Sequence, residues 1–298
     1  MKAFLLGAHM PISGGLAKSA ILGKETGCTA IQIFTKSNRQ WHAKKITQQD
    51  SDEFKSAVKV NHIKYVNVHA SYLLNLCSTE ATTAHRSATA LEDELIRCNE
   101  LGIKDLVLHP GAKKDQDTQT AIKKLANNLN SVLKNTPHST RVLIENMAGQ
   151  GTVIGGDLKE LGKIIELVSD QDRIGVCIDT CHAFAFGYKL NTREGYQSFW
   201  EDLNKEVGRH KLSLIHLNDS QKEIGSKVDR HAEIGKGTMG NSFFKLLMND
   251  PHLTHVPKIL ETPKDDLHAD AKALKLLVSE IENSYHSYIK GTNLEIYL

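Results

Sequence analysis

The sequence of 298 residues predicts a closed (β/α)8 barrel, on the strength of three observations. Eight apolar runs of strand length recur roughly 25 to 45 residues apart, and each is followed by room for a helix. The intervening stretches carry apolar residues at helical spacing. Seven of the eight runs stop at a His, Asp or Glu. Near-continuous apolar strands alternating with amphipathic helices imply a parallel sheet covered by helices, and eight such units point to a TIM barrel.

The runs are read in order. Phe4–Ala8 ends at His9, and Ala30–Phe34 leads into the polar stretch TKSNRQWH. Tyr65–Val68 ends at His69, Leu106–Leu108 at His109 and Val142–Ile144 at Glu145. Ile174–Ile178 ends at Asp179, Leu212–Ile215 at His216 and Val256–Leu260 at Glu261. Between them, Ile122, Leu125, Leu129 and Val132 share one helical face. So do Leu158, Leu161, Ile164, Ile165 and Val168, and again Leu274, Leu277, Val278 and Ile281. Thr47 precedes a helix running through Val58, and Gly102 stops the helix that contains Leu91–Leu101. The longest loop, from His216 to about Gly240, carries Asp229, Arg230, His231 and a glycine-rich GKGTMG turn. No internal repeat beyond the βα unit, linker or low-complexity tract interrupts the chain, so residues 1–298 are read as a single domain.

Bulk properties narrow the class. A hydrophobic content of 40% and a charged content of 24% are those of a soluble globular protein. The net charge of +2 is compatible with a polyanionic partner without arguing for one. Five cysteines, with no CxxC among them, are read as reduced thiols of a cytosolic protein, and Cys177 and Cys181 as packing residues. The N-terminal MKAFLLGAHMP is read as a first strand, because His9 interrupts an apolar run too short for a signal segment. No stretch approaches transmembrane length, so no membrane partner is expected.

In a barrel of this kind the C-terminal strand ends meet at one mouth. His69, His109, Glu145, Asp179, His216 and Glu261 would then converge, with His182, Asp229 and His231 on the same side. A lone strand-end histidine is usually a hydrogen-bonded structural residue. A cluster of carboxylates and imidazoles left unmatched would be costly, and divalent cations supply the compensation. Imidazole and carboxylate without thiolate suit Zn²⁺, Mn²⁺ or Fe²⁺, and nine ligand-type groups suggest two or three ions. Glu145, on a central strand, is a candidate to bridge two of them. Several ions a few ångströms apart do what phosphoryl chemistry requires.

The segments VLIENMAGQG (142–151), GVCIDTCHAFAFGY (175–188), IHLNDS (215–220), VDRHAEIGKG (228–237) and ILET (259–262) resemble the endonuclease IV family of apurinic/apyrimidinic endonucleases. FTKSNRQW (34–41), HASYLLNL (69–76) and LHPG (108–111) carry the same likeness, which extends over essentially the whole chain. MPISGGL after the first strand and Ala70 after His69 depart from the family pattern without touching a ligand position. The resemblance implies a barrel with three zinc ions. His69 and His109 would hold one, and Glu145 would bridge it to a second completed by Asp179, His216 and Glu261. His182, Asp229 and His231 would hold the third. It further implies hydrolysis of the DNA phosphodiester 5′ to an abasic site, leaving a 3′-hydroxyl, and removal of blocking groups from 3′ ends. Glu145 and Glu261 are the expected catalytic carboxylates, with Glu261 orienting or deprotonating the nucleophile. Arg39, Tyr72 and Leu73 match residues that hold open the DNA stack, against the plainer reading of Tyr72, Leu73 and Leu74 as core. Lys36, Arg39, Lys44 and Lys45 would form a phosphate-contacting patch. His9 is expected behind the ligands. A cytoplasmic monomer acting on double-stranded DNA, without an obligate protein partner, completes the expectation. Two other readings compete: a sugar isomerase or epimerase on the same metal-bearing barrel, and a zinc-dependent DNA-binding protein with an inert site.

Overall fold

The computed structural model describes residues 3–262 and 267–298. Met1 and Lys2 of the predicted first strand lie outside them. Eight parallel strands close the barrel: β1 (Leu6–His9), β2 (Ala30–Ile33), β3 (Tyr65–His69), β4 (Asp105–Leu108), β5 (Arg141–Glu145), β6 (Ile174–Asp179), β7 (Leu212–His216) and, after the short pair β8 (Asp219–Ser220) and β9 (His231–Ala232), β10 (Lys258–Leu260). Each barrel strand pairs with its neighbour in sequence, and β10 pairs with β1 to complete the ring.

Local chemistry explains the covering helices, which are α1 (Leu16–Glu25), α2 (Gln48–Val60), α3 (Ala81–Leu101), α4 (Thr118–Asn135), α5 (Leu158–Leu167), α6 (Thr180–Phe186), α7 (Arg193–Glu206), α8 (Asn241–Met248) and α9 (His268–Ser279). Thr47 starts α2 with a capping box, its hydroxyl accepting from Asp50 N while the Asp50 carboxylate accepts from Thr47 N. Gly102 ends α3 in the left-handed region at φ 72°, where only glycine sits without strain. Ile122, Leu125, Leu129 and Val132 of α4 are buried against the barrel, as are Leu161, Ile164 and Ile165 of α5. The sixth unit differs from expectation by carrying two helices, because Gly187 breaks the first after seven residues. The β10 strand is also shorter than its apolar run, since Pro257 lacks the N–H a ladder needs. No helix among the described residues is long and apolar enough to cross a membrane.

The barrel interior is layered by the two-residue period of its strands. Ala30, Val107, Leu143, Cys177, Leu214 and Ile259 form an apolar cluster separate from the outer core. Two residues further along each strand stand Gln32, His109, Glu145, Asp179, His216 and Glu261. The apolar layer is therefore the floor of a polar one. Gly7 lets β1 approach β2 at the floor, where a Cβ would lie 1.7 Å from the Ala30 carbonyl oxygen. A register shift between Val176 and Cys177 places His216 directly opposite Asp179; an unshifted pairing would put Ile215 there. At the opposite end, the Tyr65 hydroxyl and the Arg141 guanidinium both donate to Asp105 and close the barrel.

Lys258 is the one lysine among the described residues that is fully buried. Its Nζ donates to the carbonyls of Leu253 and Val256 at 2.6 and 3.0 Å and lies 5.0 Å from the Phe4 ring centroid. Burial pushes its pKa from 10.5 down to about 7. Between those values the unfolded chain holds a proton that the folded chain gives up. Stability therefore falls as pH is lowered toward 7 and levels off below it, by up to about 1.4 kcal/mol per pH unit. Lys258→Met removes this dependence. Its stability relative to wild type, measured by urea unfolding, should be greater at pH 7 than at pH 9 by roughly 2 to 3 kcal/mol. An equal difference at both pH values would show that the buried amine is not titrating.

Candidate metal centre

The polar layer above the floor gathers four carboxylates and five imidazoles. His69, His109 and Glu145 bring ligand atoms within 4.8 Å of one another, as do Glu145, Asp179, His216 and Glu261, and His182, Asp229 and His231. Glu145 belongs to two of these groupings. Its Oε2 lies 3.2 Å from both His69 Nε2 and His109 Nε2, and its Oε1 lies 3.0 Å from His216 Nδ1. His182 Nε2 is 3.2 Å from Asp229, and His231 Nε2 is 3.4 Å from both Asp229 and Asp179. Asp179 therefore stands between the second and third groupings. Glu145, Asp179 and His216 are fully buried, whereas Asp229, His231 and Glu261 form a half-buried rim.

Hydrogen bonds decide which nitrogen each histidine presents. A backbone carbonyl only accepts, so a ring nitrogen facing one carries the proton. His69 Nδ1 faces the Ala70 carbonyl at 2.7 Å, His182 Nδ1 that of Asn146 at 2.9 Å, and His231 Nδ1 that of Glu261 at 2.9 Å. In all three, Nε2 is left with its lone pair directed into the cluster. His182 Nε2 and His231 Nε2 are buried with no hydrogen-bond partner. His216 is turned the other way: its Nε2 donates to Gln32 Oε1 at 2.8 Å and its Nδ1 faces the carboxylates. Imidazole lone pairs and carboxylate oxygens at 3.0 to 3.4 Å are all acceptors, so a cation or a shared proton must lie between them. The donor set fits borderline divalent ions held by nitrogen and oxygen.

The electrostatics agree with the geometry. Burial raises the Glu145 carboxyl, but the imidazoles of His216 and His109 outweigh it and hold the group well below the usual carboxylate range. Burial likewise raises Asp229, and the His182 imidazole beside it brings it down to about 2. Burial lowers His182, while the Asp179 charge and its contacts with Asp229 and Glu145 raise it well above the ordinary histidine value. The Cys181 thiol lies near Asp179 and His231, but burial pushes it up to about 12, which leaves a neutral thiol. Cys177 packs within the apolar floor. All five cysteines are buried.

Several residues that organise the centre were not singled out from sequence. Asn146 extends the β5–β6 ladder by one rung, accepting from Asp179 N at 2.6 Å and donating to the Asp179 carbonyl. Asn218 donates to Asp179 Oδ2 at 2.6 Å and accepts from Glu261 N at 2.8 Å. The Gln32 amide reaches both His216 and Glu261, and also His9 and Asn67. Asp219 gathers the backbone N–H groups of Ser220, Gly235, Gly237 and Met239, so the long loop carrying Asp229 and His231 is pinned to its own root. The signals were polar residues at inward parity inside apolar runs: Gln32 in AIQIF and Asn67 in YVNVH.

The cavity above the ligands measures about 240 Å³ and is lined by Tyr72 with His69, His109, Glu145, His182, Asp229, His231 and Glu261. Tyr72 is 53% exposed and Leu73 36%, while Leu74 is buried, so the core reading holds for Leu74 alone. Arg39 is exposed on the loop after β2. Lys36 does not belong to the phosphate-contacting patch expected from sequence: its ammonium is buried against Asp93 and Glu94 and faces away from solvent.

A family model described as a xylose isomerase-like TIM barrel matches residues 22–281. The probable endonuclease 4 of Chloroflexus aggregans is 42% identical over 275 residues, covering 92% of this chain and 96% of that one. The crystal structure of endonuclease IV from Thermus thermophilus superimposes with a TM-score of 0.82 at 30% identity, covering 92% of this chain and 98% of the other. A D-tagatose 3-epimerase-like protein superimposes with a TM-score of 0.70 at 17% identity over 94% of this chain and 97% of that one, which is a likeness of fold alone.

Gln32 provides a test of the centre that does not depend on catalysis. Gln32→Leu leaves His216 Nε2–H and Glu261 without their shared partner. The variant should bind Zn²⁺ roughly 10- to 100-fold more weakly at one site, as measured by competition with a chromophoric chelator. Retention of the full wild-type affinity would mean that the amide does not orient these two ligands.

Proposed function

Because the chain belongs to the endonuclease IV family of hydrolytic DNA-repair nucleases, we propose that it cleaves the phosphodiester 5′ to an abasic site in duplex DNA, leaving a 3′-hydroxyl and a 5′-deoxyribose phosphate. The same centre would remove blocking groups from 3′ ends. The observation that carries this reading is the convergence of nine nitrogen and oxygen ligand residues, with the buried lone pairs of His182 and His231 aimed into the cluster. Three divalent ions, zinc with manganese or iron able to substitute, match that number of ligands. His69, His109 and Glu145 would hold the first, Glu145, Asp179, His216 and Glu261 the second, and His182, Asp229 and His231 the third. When bound, such ions supply a nucleophilic water at neutral pH and neutralise the charge that builds on the phosphate and on the departing oxygen.

The chain's own groups do the positioning. Glu145 spans the first two groupings through its two oxygens, so it fixes their separation. Glu261 sits on the half-buried rim with Oε1 held by Gln32 and Oε2 beside His216, which leaves it placed to orient the nucleophile and accept its proton. Tyr72 and Leu73 present apolar surface at the mouth, and Arg39 stands on the adjoining loop. Together they would fill the gap in the base stack left by a flipped abasic nucleotide.

Purified protein should nick a duplex oligonucleotide carrying one tetrahydrofuran abasic analogue, immediately 5′ to the lesion, giving an end that a polymerase can extend. Chelator should abolish the cut and added Zn²⁺ restore it. Glu145→Gln should lower the rate by roughly a hundredfold or more. An intact duplex, together with interconversion of ketohexoses by the same preparation, would instead support the epimerase reading.

A further inference from the structure

Three charged side chains not used in the reaction are buried at the root of the loop between β2 and α2. The side chains of Lys36 and Glu94 are each 2% exposed, and Arg97 is buried beside them. Charged groups are almost never buried without partners, and here the partners converge on one loop. Arg97, on α3, donates Nε to the Thr35 hydroxyl at 3.0 Å, one terminal nitrogen to the Thr35 carbonyl at 2.6 Å and the other to the Lys44 carbonyl at 2.8 Å. A single guanidinium therefore grips the loop at both ends. Glu94 accepts from the Thr35 hydroxyl at 2.6 Å and lies 3.5 Å from Lys36 Nζ. Lys36 also pairs with Asp93 at 2.9 Å and donates to the Trp41 carbonyl at 3.3 Å. The Trp41 ring packs under Arg86 of α3, with 4.4 Å from the guanidinium carbon to the ring centroid.

The tip of the loop is fastened from the other side. Ser71 Oγ donates to the Asn38 carbonyl at 2.7 Å, and the Phe34 ring meets Tyr72 edge-on at 5.7 Å between centroids. Asn38 precedes Arg39 and Ser71 precedes Tyr72, so the two segments that face the substrate touch each other. Residues 34–47 contain no helix or strand, and a loop of that length would lose much entropy on binding if it were free.

We propose that Lys36, Glu94 and Arg97 are positioning residues for substrate binding, a buried ionic clamp that holds the Arg39 loop against the Tyr72 loop so that both meet DNA as one preformed wedge. The proposal rests on the nuclease reading above. An ion cluster with two cations and two anions adds little to stability over apolar residues of the same volume, but its directed hydrogen bonds define one loop conformation.

Two conservative variants test the clamp. Glu94→Gln keeps the shape and removes the charge. Arg97→Lys keeps the charge and loses the fork that reaches both carbonyls. In each, amide hydrogen exchange across residues 35–47 should accelerate, and KM for the abasic duplex should rise roughly tenfold. The metal content, kcat on the duplex and hydrolysis of bis(4-nitrophenyl) phosphate, which reaches the ions without the loop, should not change. Unaltered exchange in both variants would overturn the clamp. Faster exchange with an unchanged KM would overturn its role in binding and leave it a structural tie. Wild-type protein that fails to cut the duplex would overturn the nuclease reading instead, and the exchange comparison would still decide the clamp.

Discussion

Glu145 is the group on which the centre depends. It is fully buried above an apolar floor, and the imidazoles of His69, His109, His182 and His216 stand within 3.4 Å of its two oxygens. An ionised carboxylate in such a place is tolerated only when its charge is met directly. The barrel meets it by placing a histidine or a second carboxylate at the same height on neighbouring strands, so that whatever cation neutralises one member is shared by the rest. The register shift between β6 and β7 belongs to the same constraint. It levels His216 with Asp179 and keeps His216 on the inner face.

Holding many like charges together requires a rigid frame, and the frame here is built of amides. Asn146 and Asn218 bind backbone and side chain of Asp179, and Asn218 also takes the backbone N–H of Glu261. Each is neutral, offers both donors and acceptors, and adds no charge to a place already crowded with it. Asp219 does comparable work one step further out. Its four backbone contacts fold the loop after β7 back on itself, which brings Asp229 and His231 over His182 although 47 and 49 residues of sequence, respectively, separate them from it.

The barrel could be read from sequence because parallel strands buried on both faces are near-continuous apolar runs, and a charged residue at the end of such a run stands out. Asp179 after Ile174–Ile178 is visible for that reason. Gln32 is not: it lies inside the run AIQIF, where a single polar residue looks like an imperfection of the strand. Only the closed barrel shows that Gln32 occupies the same layer as Glu145, two residues above Ala30 as Glu145 is two above Leu143. Lys36 fails for a different physical reason. A lysine in a basic loop reads as solvated, and nothing local reveals that Glu94, 58 positions later in sequence numbering, comes from another helix to bury it. Local pattern gives parity and capping; long-range ion pairing depends on which helices pack side by side.

The shape of the mouth bears on which substrate the centre serves. A small sugar is ordinarily enclosed, with most of its surface buried by the pocket that holds it. Here the cavity over the ligands is only about 240 Å³, and beside it Tyr72 and Leu73 hold apolar surface out to solvent. Exposed aromatic and aliphatic side chains at the edge of a polar site lose free energy to water unless a partner covers them. A base stack interrupted by an abasic gap offers such a cover: flat, apolar faces for the side chains and a phosphate for the ions, on one rigid polymer. The two features are separated by the reach of a single loop step, since Tyr72 lies three residues beyond His69 and packs its ring 5.0 Å from that histidine. The residue that would fill the gap is thus built directly onto a residue that would hold an ion, and on the proposed function this would tie recognition of the lesion to placement of the phosphate.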